Sequence, residues 1–180
     1  MVALVPTGQH IGERDTFLNF IRAQREAVIR ASFGLTEEQA ASRPSVSELS
    51  LSGLIKHVAE AELNWLRLAQ ERPNERQRAE ENWGEGFRLV DGETIPEVVA
   101  FWQGVAEETE EFVRSVPSLD DTFPLPPAPW FPKDGRVSVR WMLLHLVQET
   151  GRHAGHADII RESLDGKGSF ELIDLEKRSS

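Results

Sequence analysis

His145, Glu149, His153 and His156 fall within twelve consecutive residues. Side chains three or four apart share one face of an α-helix, so this spacing gathers three imidazoles and a carboxylate on one surface. Projected at roughly 100° per residue, Met142, Leu146, Ile160 and Leu164 form the stripe such a helix buries, and Glu149 and His153 fall in the middle of it. An ionisable pair among aliphatic side chains is costly to desolvate unless something pairs with it. A metal ion is one such partner. The chain has no cysteine, which excludes disulfides, thiolate sites and a cysteine nucleophile together, so a bound metal would be held by imidazole and carboxylate.

A third ligand would have to come from another helix. His57 sits at the edge of the apolar stripe of a second helix that contains Leu54, Ala61, Trp65 and Leu68. His57, Glu149 and His153 together would be two imidazoles and one carboxylate, a set that suits catalytic zinc and, in facial arrangement, iron. The same residues have a metal-free reading, in which Glu149 accepts a bond from His57 or His153, or His57 pairs with Asn64 on its own helix. His145 and His156 border the site as alternative ligands, supporting donors or proton carriers; boundary histidines bonded to backbone or water are the plainer reading of both. Arg152 faces the same side and would meet an anionic substrate or an exposed acidic neighbour. Asp158 and Arg161 read as surface or interhelix residues.

The elements that must position these side chains follow from periodicity and punctuation. Phe17, Phe20, Ile21, Val28 and Ile29 recur at helical spacing, which predicts an amphipathic helix over about 13–32, closed by Gly34. Thr36 and Gln39 form the pattern of a capping box. A second helix over about 50–71 starts at Ser50 or Ser52 and stops before Pro73; a third over about 94–115 has Thr94 as N-cap and Pro96 in its first turn. The fourth covers about 137–164. Between the second and third, residues 74–93 are polar but carry Trp83 and Phe87, which marks a connection that packs over something, as a lid or as a simple fastening. Glu107 and Glu111 share a face with no histidine nearby and read as solvated. The proline-rich residues 117–135 exclude a helix and predict an extended crossover, long enough for the fourth helix to pack parallel to the third. Residues 165–180 are a tail whose Phe170-Glu-Leu-Ile-Asp-Leu175 would dock on the bundle or on a second subunit. One all-α domain, a four-helix bundle with long crossover connections, accounts for the whole chain, and bundles build sites from side chains facing inward.

Composition narrows the partners. The 180 residues are 39% hydrophobic and 28% charged, enough for one sizeable core, and the formal charge of −10 disfavours nucleic acid and anionic membrane. No run approaches the roughly 18 apolar residues of a membrane span, and the stretch Met1 to Gly8 lacks the pattern of a signal peptide. A cytoplasmic protein acting on a small molecule is the expectation. Phosphate-binding glycine loops and a Gly-x-Ser-x-Gly elbow are absent.

The segments Leu54-Ile-Lys-His57-Val-Ala-Glu-Ala-Glu-Leu-Asn-Trp65 and Arg140-Trp-Met-Leu-Leu-His-Leu-Val-Gln-Glu149-Thr-Gly-Arg-His153-Ala-Gly-His-Ala-Asp158 resemble the DinB superfamily of metal-binding four-helix bundles. They are similar in particular to the branch with mycothiol-dependent maleylpyruvate isomerase and mycothiol S-transferases, and the resemblance runs from about Glu13 to Leu164. Many members use three histidines, whereas that branch uses histidine, glutamate and histidine; carried over by position, these are His57, Glu149 and His153. The resemblance implies a divalent metal, usually zinc and sometimes nickel, and often a homodimer. It points to a thiol transferase that activates a low-molecular-weight thiol such as mycothiol; the residues of this chain add His145 or His156 to move a proton and Arg152 to steady a carboxylate. A metal-dependent hydrolase, or a stress-linked binding or dimerisation bundle without catalysis, are the alternatives.

Overall fold

The computed structural model describes residues 5–6, 11–90 and 92–179, apart from the side chains of residues 80 and 179. The N-terminal stretch read above for a signal peptide lies, but for residues 5 and 6, outside them.

Each long helix begins and ends where local chemistry dictates. Helix α1 (Glu13–Arg30) buries Leu18, Ile21 and Val28. Phe20, counted in the apolar stripe from sequence, is exposed; Leu18 takes the core position because the buried face runs through 18, 21, 25 and 28. The chain leaves the helix through Gly34 at φ +72°, a left-handed conformation that favours glycine. The Thr36 capping box opens the short α2 (Glu37–Ala41), with both reciprocal bonds formed. Ser50 caps α3 (Leu51–Ala69), and Thr94 with Glu97 forms a second complete capping box at α4 (Ile95–Ser115), where Pro96 sits in the first turn. Glu107 and Glu111 face solvent, as their spacing predicts.

Residues 117–135 do more than cross over. Strand β1 (Thr122–Pro124) pairs antiparallel with β2 (Arg136–Ser138), Phe123 opposite Val137, and Phe123 is buried in the core. The sequence reading missed this hairpin because proline dominates the segment. The pairing runs one residue past Pro124, where the Leu125 N–H donates to the Gly135 carbonyl at 2.8 Å, and Pro126, Pro127, Pro129 and Pro132 occupy the loop beyond. Ser138 then caps α5 (Val139–Asp165), whose 27 residues end at Gly166, φ +76°.

Helix α1 lies along α5, and α3 packs against both α4 and α5. Helix α4 therefore stands diagonally across from α5 rather than beside it, a correction to the expected parallel neighbour. Trp65, Met142, Leu143, Leu146 and Phe123 fill the core at one end, and Trp102, Val58, Val28 and Ala154 fill the middle. Helix α6 (Ser169–Ser179) folds the tail back on its own bundle, burying Leu172 and Ile173, with Arg30 paired to Glu176 at 2.7 Å. Arg161, buried, donates to the Ala31 and Phe33 carbonyls at 2.9 and 2.8 Å and so closes the C-terminal end of α1. No helix among the described residues is long and apolar enough to cross a membrane.

Candidate metal centre

Helix α5 presents Glu149 and His153 one turn apart, so their contact is a consequence of helical geometry. Glu149 Oε1 lies 3.1 Å from His153 Nε2. Helix α3, packed across α5, brings His57 Nε2 to 3.5 Å from the same oxygen. One donor atom from each of the three residues lies within 4.8 Å of the others, and it is the one such group of His, Cys, Asp and Glu among the described residues. His153 is 8% exposed, while His57 and Glu149 are half-buried. Hydrogen bonds from His153 and then His57 hold the Glu149 carboxyl far below its ordinary range, against the upward push of burial. A carboxylate is thus kept ionised between two imidazoles, with no arginine or lysine among the described residues paired to it.

The two histidines are oriented by different means. His153 Nδ1 meets His156 Nδ1 at 3.3 Å, so one ring shares a proton with the other. His57 has no hydrogen bond at its second ring nitrogen among the described residues; instead Phe87 stacks on its ring, centroids 4.2 Å apart and planes 19° from parallel. Phe87 belongs to a 3₁₀ segment, Glu80–Phe87, in the connection between α3 and α4, and Trp83 packs edge-on against it. Both readings of that connection concern its packing, and it is firmly fastened. Glu60 accepts two bonds from Arg78, at 2.7 and 2.5 Å. Lys56, buried, donates to the Arg88 carbonyl at 3.1 Å and pairs with Glu93.

The remaining residues singled out from sequence divide. His156 touches His153 as described; burial, and the nearby His153 and Arg152, lower its pKa. His145 packs against both Trp65 and Trp141, stacked on Trp141 with planes 4° apart, and burial keeps its pKa below the ordinary value. Arg152 is exposed, with no ion pair among the described residues. Asn64 pairs with Asn74 rather than with His57.

Beside the triad opens a cleft of about 550 Å³. His57, Asn64, Asn74, Arg78 and Phe87 line it, and Trp83 and Trp130 form apolar walls. These indoles are 63% and 77% exposed, a large apolar surface to leave in water without a ligand. Trp130 comes from the proline loop and Trp83 from the 3₁₀ segment, so the two irregular connections together enclose the approach to His57.

Sequence reasoning did not find the anchors at Gly53, Lys56 and Glu60, or the buried cluster of Arg25, Glu62 and Trp102. One signal was available: Lys56 and Glu62 are charged residues inside a helix that is otherwise strongly apolar.

No curated protein matches the chain significantly. Among solved structures, a conserved protein from Enterococcus faecalis superposes with a TM-score of 0.68 at 15% identity, covering 88% of this chain and 100% of that one, which shows a shared fold. Residues 16–166 match the family described as mycothiol-S-transferase. With nearly the whole helical bundle inside that match, the chain belongs to the DinB-like mycothiol-S-transferase family.

Proposed function

We propose that the chain is a divalent-metal-dependent S-transferase that joins a low-molecular-weight thiol, mycothiol or a relative of it, to an electrophilic small molecule. The observation that carries this reading is the meeting of His57, Glu149 and His153 beside an open cleft. The donor set fits: Glu149 Oε1 stands 3.5 and 3.1 Å from the two imidazole nitrogens, and ligand atoms bonded to tetrahedral zinc at roughly 2.05 Å stand about 3.4 Å apart. Zinc is the first candidate and nickel the second. Two neutral imidazoles and one carboxylate leave a divalent ion with an uncompensated positive charge, which suits an anionic thiolate. A bound ion supplies one thing here: it lowers the pKa of a coordinated thiol so that the thiolate predominates near neutrality.

The rest of the work falls to the chain. Trp83 and Trp130 shelter the substrate body from water, while the Asn64 and Asn74 amides offer it hydrogen bonds. His156, in contact with His153, exchanges the proton that the thiol gives up; His145, packed against Trp65 and Trp141, is a second acceptor. Arg152, exposed on the same helix, steadies a substrate carboxylate.

Metal analysis of the purified protein should find close to one zinc or nickel per chain, lost in His57→Ala. The loaded protein should consume an alkylating electrophile only when a thiol is supplied. Absence of turnover with mycothiol, bacillithiol and glutathione alike would sink the proposal, and thiol-independent hydrolysis would replace it with the hydrolase alternative.

A further inference from the structure

We propose that Phe87 is a positioning residue for the metal centre: its ring, laid flat on His57, fixes the direction of Nε2 where no protein group among the described residues holds the other ring nitrogen. The inference rests on the metal-site reading above. Metal-binding histidines ordinarily donate their second N–H to a carboxylate, carbonyl or water, and that bond sets the ring's orientation. His153 has such a partner in His156. His57 has none among the described residues, yet its Nε2 faces Glu149 Oε1 across 3.5 Å. A ring free to turn about its Cβ–Cγ bond would not hold that direction. A parallel face at 4.2 Å restrains it.

The backbone is built to bring that face there. A Cβ at Gly53 would lie 2.0 Å from the Phe87 carbonyl oxygen, so only glycine at this position of α3 admits the 3₁₀ segment. One turn on, Lys56 holds the Arg88 carbonyl and Glu93; a turn further, Glu60 holds Arg78. Gly53, Lys56 and Glu60 thus fasten the connection on both sides of His57, more restraint than a passive surface loop requires. The ring contacts of Phe87 among the described residues are with His57 and Trp83, so its route to the centre is through His57.

The test measures zinc affinity by competition with a chromophoric chelator, and the visible spectrum of the cobalt(II)-loaded protein, for wild type, Phe87→Leu, Phe87→Tyr and Gly53→Ala. Phe87→Leu keeps apolar bulk but removes the flat face; it should bind zinc roughly tenfold more weakly and alter the cobalt absorption bands. Phe87→Tyr restores the face and should return both readouts to wild type. Gly53→Ala, which displaces the backbone with Phe87 intact, should behave like Phe87→Leu and keeps the test valid if the leucine variant fails to fold. A purely structural Phe87 would lower thermal stability while leaving zinc affinity and the cobalt spectrum of the folded protein unchanged, and that result overturns the proposal. Wild type that takes up neither ion overturns the metal reading itself, a separate outcome.

Discussion

Two polar clusters lie inside this bundle, and they are built on opposite terms. In the first, Glu62 on α3 accepts from Arg25 at 2.7 and 3.3 Å and from Trp102 Nε1 at 2.8 Å, with the Arg25 guanidinium 6.0 Å from the Trp102 ring. Its charges cancel, and Glu62 is 1% exposed. In the second, Glu149 stands between two imidazoles, half-buried, with no arginine or lysine paired to it among the described residues and a cleft beside His57. A closed cluster that satisfies its own members ties α1, α3 and α4 together and has no valence left for a ligand. An open one keeps a negative charge and ring nitrogens available. Placement in the bundle interior does not tell the two apart; the identity of the partners does.

The contrast can be broken from either side. The largest effect is expected from Glu62→Ala, which strands the buried Arg25 charge; removing one partner of a buried pair costs about 3–5 kcal/mol. Urea denaturation should show that loss, while the folded fraction keeps its full metal content. Gly53→Ala should follow, since inserting an atom into a filled contact costs roughly 1–3 kcal/mol, read as a lower midpoint of thermal unfolding.

Acid should separate the clusters as well. In metal-stripped protein the Glu149 pKa is depressed below its ordinary 4.5, so the unfolded chain takes up the proton first as pH falls. The stabilisation from this group is therefore complete above 4.5 and lost below it, and denaturation curves of wild type and Glu149→Gln should converge as the solution is acidified. His145 acts in the same direction from higher pH: burial lowers its pKa below 6.5, the unfolded chain protonates first, and stability declines as pH drops through that value. The smallest effect is expected at Glu107→Gln. This exposed carboxylate belongs to neither cluster, and both unfolding free energy, within about 0.5 kcal/mol, and metal content should stay unchanged.

The sequence by itself determined the four long helices, because capping boxes, prolines and glycines act within a turn of where they stand, but not the helix in the tail or the 3₁₀ segment at Glu80–Phe87. It also put Glu149 and His153 on one face, since residues four apart on a helix are neighbours. The tertiary structure alone decided what meets that pair. His57 lies ninety-two residues earlier in the chain, and its direction depends on how α3 crosses α5 and on Phe87 resting over it. The Arg25, Glu62 and Trp102 cluster, the hairpin inside the proline-rich stretch and the diagonal placement of α4 and α5 likewise join residues far apart in sequence. Periodicity records which face of an element is buried, but not which face of another element it is buried against; that choice belongs to the packing of all the helices at once.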